Sequence, residues 1–140
     1  MPTGAPRRPG RTKLTECVFD TSAVLAWLRQ ERGADVVEER LADAQLCAVN
    51  LAEVVSKLAD FGLPDTVGVE TVASLGMKVV PFGEALAMRT GQLRSVKRAR
   101  GLSLGDRACI ALAEAAGLPV LTADRAWAEL DLGVEVVLIR

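Results

Sequence analysis

Two kinds of apolar pattern alternate along this chain, and that alternation limits its fold more than any other feature. Short contiguous runs of β-forming residues exchange with longer segments whose apolar positions recur at helical spacing. "CVF" at 17–19 precedes a helical pattern over Ser22–Gln30 and a second near Ala34–Ala42, and "LCAV" follows at 46–49. A helix is expected over Leu51–Phe61, stopped by Gly62 and Pro64, and another over Asp65–Leu75, stopped by Gly76. "KVVPF" at 78–82 reads as a third strand, with helices to follow over Glu84–Val96 and Leu104–Ala116, the last ended by Gly117-Leu118-Pro119. "PVLTA" at 119–123 and "VEVVLI" at 134–139 bring the strands to five. Strands separated by helices imply an α/β fold, a parallel sheet covered on both faces.

The 140 residues suffice for one domain, which would bury roughly two-thirds of its unfolded surface. Residues 1–14, "MPTGAPRRPGRTKL", hold three prolines and two glycines without apolar periodicity. They are expected to form a disordered basic tail, either a solvated leader or an arm that touches phosphates, with the folded domain occupying 15–140. No apolar run approaches the ~18 residues that span a bilayer, and no long apolar segment follows the N-terminal arginines. A soluble, cytoplasmic protein with no membrane association is the expectation.

Histidine is absent, which removes every mechanism built on a Ser/His or Cys/His pair and argues against zinc. Cys17, Cys47 and Cys109 are an odd number in apolar segments, as expected of buried, reduced thiols. Hydrolytic chemistry would then fall to carboxylates, hydroxyls, lysine or a metal held by oxygen. The net charge of −1 conceals an asymmetry: Arg7, Arg8, Arg11 and Lys13 all precede the domain, leaving 13 basic against 18 acidic residues, a net −5. Such a domain is an unusual partner for nucleic acid unless cations offset its acids locally.

Open parallel sheets carry their working groups beyond the carboxyl ends of the strands. Four acids fall there: Asp20 directly after "CVF", Asp124 directly after "PVLTA", Glu53 one turn into the helix after "LCAV", and Asp106 one turn into the helix before the fourth strand. Each has an ordinary alternative. Asn50 with Glu53, and Ser103 with Asp106, have the spacing of a capping box, and Asp20 and Asp124 precede helices they could cap. If the four converge, like charges ~4 Å apart repel by about 4 kcal/mol per pair at an effective dielectric near 20, and the cluster needs a cation. An all-oxygen site suits Mg2+ or Mn2+, which can acidify a bound water and stabilise charge on a phosphodiester.

"VFDTSAVLAWL", "NLAEV", "LSLGDRACIALA" and "LTADRAW", in this order, resemble the motifs of PIN-domain ribonucleases, and more narrowly of VapC toxins from toxin–antitoxin (VapBC) pairs. The likeness runs from Glu16 to Arg140. It implies a PIN-like three-layer α/β/α fold with a five-stranded parallel sheet in the order 3-2-1-4-5. It also implies that Asp20, Glu53, Asp106 and Asp124 surround one or two Mg2+ or Mn2+ ions and that RNA is the substrate, cut endonucleolytically. A cognate VapB-like antitoxin and a homodimer are the implied partners. Ser22 and Thr122 match supporting polar positions, their ordinary alternatives being a helix cap and a strand-end hydrogen bond. Asn50 stands where the family often has serine or threonine. Asp131 is excluded, since seven residues of helix would carry it about 10 Å from Asp124.

The acid-free stretch Arg89–Arg100 leads towards Asp106, and Arg94, Lys97, Arg98 and Arg100 are its candidate RNA-phosphate contacts; the alternative is a solvated helix face. Trp27 and Trp127 sit in apolar helical patterns and are expected in the core, not as base-stacking platforms. A haloacid-dehalogenase-type phosphatase would need a second Asp where Ser22 stands. A receiver-like domain would need paired acids at the end of the first strand, and a DNA-directed nuclease would need additional DNA-gripping segments. The rival from another class is a catalytically inactive PIN-fold protein-binding module.

Overall fold

The computed structural model describes residues 15–140; the expected basic tail, 1–14, lies outside the described residues. Five short strands, β1 (Cys17–Phe19), β2 (Ala44–Cys47), β3 (Lys78–Val80), β4 (Val120–Thr122) and β5 (Val136–Leu138), form one sheet in the order β3-β2-β1-β4-β5. Every pairing in it is parallel. Between the strands lie α1 (Thr21–Leu28), α2 (Ala34–Glu38), α3 (Ala48–Asp60), α4 (Asp65–Ala73), α5 (Glu84–Leu93) and α6 (Leu104–Ala116).

Alternation along β1 explains the layers. Cys17 and Phe19 face one apolar cluster, with Leu46, Leu121 and residues of α1 to α4, while Val18 faces the other, with Val120, Trp127 and the buried side of α6. Both sides of β1 are buried, as its wholly apolar sequence requires. Trp127 is fully enclosed in the second cluster, and Trp27 packs partly buried against the first. All three cysteines are free and buried, and burial pushes the Cys17 thiol up to about 11.

Several element boundaries differ from the sequence expectation. The helix expected over Ala34–Ala42 stops at Glu38, because Val37 is the only one of its residues that is buried, and a 3-10 turn over Leu41–Asp43 leads into β2. The helix expected to reach Val96 ends at Leu93, and the chain bends so that Ala99 is buried beneath a 3-10 turn over Lys97–Ala99. The run "LCAV" is divided: β2 ends at Cys47 and α3 begins at Ala48. Helix α3 then contacts both α1 and α6, so it spans the two sides of the sheet at the strands' carboxyl end.

Candidate active site

Strand order reverses between β1 and β4, since β2 and β3 extend the sheet one way and β5 the other. Loops leaving two such strands diverge to opposite faces and leave a crevice. Here the crevice is a cleft of about 570 Å³, and Asp20, Glu53, Asp106 and Asp124 all line it. Thr21, Ser22, Lys57 and Gly105 share the lining, and Lys57 is the one cation among the described residues that does so.

Asp20 leaves β1 in extended conformation and begins α1 without a side-chain capping bond. Its carboxylate turns inward, and the residue is only 5% exposed. Oδ2 accepts from Ser22 Oγ at 2.7 Å and from Thr122 Oγ1 at 2.9 Å. Each hydroxyl in turn accepts a backbone N–H, Ser22 from Ala123 at 2.9 Å and Thr122 from Asp124 at 3.0 Å. A hydroxyl has a single proton, so with both spent on Asp20 the 3.2 Å approach of Ser22 Oγ to Thr122 Oγ1 is contact only. Burial raises the Asp20 carboxyl above its ordinary value, the two hydroxyls oppose this, and the charge of Asp106 adds to the rise.

Glu53 lies on α3, and Oε1 accepts from Thr21 Oγ1 at 2.6 Å and from Asn50 Nδ2 at 2.9 Å. Asn50 does not form the capping box that its spacing suggested: Cys47 is the N-cap residue, and Asn50 is already the third residue of the helix. Its amide points inward, fully buried, and also donates to the Gly105 carbonyl at 3.1 Å. Three residues separate a cap from its partner and also separate neighbours on one helix face, so the spacing alone does not tell the two apart.

Asp106 does form its capping box, accepting from Ser103 N at 3.0 Å through Oδ2 while Ser103 Oγ accepts from Asp106 N at 3.1 Å. Asp124 caps the 3-10 turn Arg125–Glu129, Oδ1 accepting from Ala126 N at 3.0 Å. Capping engages one oxygen of each, and Asp106 Oδ1 and Asp124 Oδ2 accept no hydrogen bond among the described residues. A carboxylate has two oxygens, so capping and a role in the cleft are compatible.

The donor set is oxygen throughout, which is the chemistry of Mg2+ or Mn2+ and not of zinc. Among the described residues no three acids stand close enough to form a ready-made cage. Mg2+ does not need one, because it retains several waters and takes one or two carboxylates directly. The residues present fit such an ion.

Of the basic stretch, Arg94, Lys97, Arg98 and Arg100 are all exposed and none lines the cleft. Arg98 reaches Asp131, and Arg89 pairs through Nε with Glu114 at 2.6 Å. Sequence reasoning passed over Thr21, Gly105 and Lys57. Lys57 lies one helical turn beyond Glu53, and Gly105 is a poor helix former near the start of a helix; both signals were present in the sequence.

An open parallel sheet with an acidic, all-oxygen cleft at its switch point defines the class of this molecule. The chain belongs to the PIN-domain family, whose model matches residues 17–132. Its fold is similar to a toxin–antitoxin complex from Klebsiella pneumoniae, at 20% identity over 89% of this chain and 98% of that one, with a TM-score of 0.70. A DNA-bound VapBC from Salmonella typhimurium is similar at 16% identity over 89% and 98% of the two chains, TM-score 0.70. A member of the VapBC family from Mycobacterium tuberculosis is similar at 25% identity over 90% and 98%, TM-score 0.58. No curated protein matches the chain significantly.

Proposed function

We propose that the chain is a Mg2+- or Mn2+-dependent endoribonuclease, the VapC-type toxin of a toxin–antitoxin pair. The observation that carries this reading is the convergence of Asp20, Glu53, Asp106 and Asp124 on one cleft, with Asp20 buried and, among the described residues, in no ion pair. Four carboxylates sharing a cleft with a single lysine are costly in a protein that has no use for them. Asp20, Glu53, Asp106 and Asp124 would hold the ion, one or two of them directly and the others through its waters. When bound, it supplies an acidified water as nucleophile and neutralises charge developing on the phosphodiester. Thr21, Ser22, Asn50 and Thr122 orient the carboxylates, and Lys57 stands where it can meet a phosphate at the rim of the cleft. Arg94, Lys97, Arg98 and Arg100 would engage RNA phosphates further from the reacting bond. The similarity to structures solved as toxin–antitoxin complexes supports a VapB-like antitoxin partner, and a homodimer is proposed with it.

The test compares wild type with Asp106→Asn, which retains the size and capping ability of the side chain. Wild type should cleave structured RNA with Mn2+ and lose that activity in EDTA. The variant should lose cleavage by orders of magnitude while melting in EDTA at an equal or higher temperature, because one like charge has left the cleft. Retained cleavage would overturn the assignment of Asp106. Wild-type protein inert on RNA would favour the inactive binding module.

A further inference from the structure

Gly105 is the second residue of α6, it is buried, and its backbone does not account for glycine. Six glycines of the described chain adopt positive φ, and Gly105 is not among them. Within a helix glycine is the poorest former after proline, so something other than conformation must favour it here. A methyl group built on its Cα would overlap Glu53, far inside the ~3.5 Å of an ordinary non-bonded contact. The three nearest atoms to that methyl are the carboxyl carbon and both carboxylate oxygens of Glu53, and none is backbone. The first obstacle is thus a side chain and not the backbone of α3. The carboxylate itself occupies the volume of the absent side chain, pinned there by Thr21 Oγ1 at 2.6 Å and Asn50 Nδ2 at 2.9 Å.

Asn50 completes the seat. Its two amide protons face two acceptors, Glu53 Oε1 and the Gly105 carbonyl at 3.1 Å, which fixes which end of the amide is nitrogen. Nδ2 also approaches Thr21 Oγ1, at a longer 3.2 Å; that oxygen is left to accept because its own proton goes to Glu53. One buried amide thus ties the Glu53 carboxylate to the backbone of the residue beside Asp106.

We propose that Gly105 is a positioning residue for Glu53: the missing side chain provides the seat of its carboxylate, and the Asn50 amide holds the carboxylate in that seat beside Asp106. The consequence for catalysis rests on the nuclease reading above, whereas the seat itself does not.

A thermal double-mutant cycle in EDTA separates the two. In a Glu53→Ala background, where the seat is vacant, Gly105→Ala should raise Tm by about 3 °C through helix propensity. With Glu53 present the same substitution should raise Tm less, or lower it, because the methyl evicts the carboxylate. Calorimetric titration should show Mn2+ binding to full-length Gly105→Ala weakened by about 10- to 100-fold, a change that a purely architectural glycine would not produce. Equal Tm shifts in both backgrounds, failure of Gly105→Ala to fold in both, or unaltered Mn2+ affinity would overturn the proposal. If wild type neither binds Mn2+ nor cleaves RNA, the nuclease reading fails, and the cycle still decides whether Gly105 seats Glu53.

Discussion

Asp20 and Glu53 accept hydrogen bonds from side chains that reach in from α1, α3 and β4, whereas Asp106 and Asp124 accept theirs from backbone amides within three residues of themselves. The first pair depends on the assembled fold, and its Asp20 is drawn out of water almost completely while Glu53 is half-buried. The second pair is held by turns that any helix start could form; Asp124 is exposed, and Asp106 is half-buried. Desolvation therefore concentrates on one side of the cleft, where ionisation is opposed by burial. A cation would relieve that side most, while the open side can adjust around it.

The largest expected effect comes from neutralising the buried side. Asp20→Asn keeps the shape and both hydroxyl bonds, and RNA cleavage should fall roughly a thousandfold with the loss of several kcal/mol of transition-state stabilisation. Its stability should move the other way. The Asp20 carboxyl titrates above its ordinary 3.8 because it is buried, so the native state retains a proton that the unfolded chain has released. Its contribution to stability consequently declines as pH rises from about 4, and the penalty is complete above the raised folded value. In EDTA at pH 7 Asp20→Asn should melt above wild type, with the gap closing as pH is lowered towards 4. A variant that melts lower at pH 7 would contradict a desolvated carboxylate.

A smaller effect is expected from Thr122→Val, which fills the same volume but removes the donor to Asp20 and the acceptor for the Asp124 N–H. Mn2+ affinity and cleavage should drop about 10- to 100-fold, as for other groups that orient metal ligands. Unchanged Mn2+ affinity would show that Asp20 needs no orienting. The smallest effect belongs to the open side. Ser103→Ala removes one bond of the capping box but not the one Asp106 accepts, and should cost about 1 kcal/mol of stability with cleavage within about twofold of wild type. A collapse of activity there would erase the distinction between the pairs.

The parallel pairing and the cleft's four acids were legible from short apolar runs and from acids placed at or just beyond strand ends, whereas the sheet order was legible only through the resemblance to the family. The start of α3 was not. Cys47-Ala48-Val49 is apolar throughout, and a short apolar run has no periodicity to distinguish the first turn of a helix from a strand. That misreading put Asn50 at the cap position and hid its inward amide. Gly105 showed in the sequence only as a glycine out of place in a helix: its meaning lies in a carboxylate contributed by a different helix, and no local pattern records that meeting. Asp106 and Asp124 posed a choice between cap and site that their two oxygens make unnecessary.

The face of α3 that carries Asn50, Glu53 and Lys57 also governs where this sequence can change in length. These three residues are three and four positions apart, so they share one side of a single rod. One inserted residue between Asn50 and Glu53 would rotate everything beyond it by about 100° and advance it by about 1.5 Å, carrying Glu53 away from Thr21 and Gly105 together. The exposed connection at residues 61–64, where Gly62 turns at φ 91°, has no such constraint. Descendants of this sequence can grow or shrink at that connection, while the segment from Asn50 to Lys57 is fixed in length even where individual side chains are free to vary.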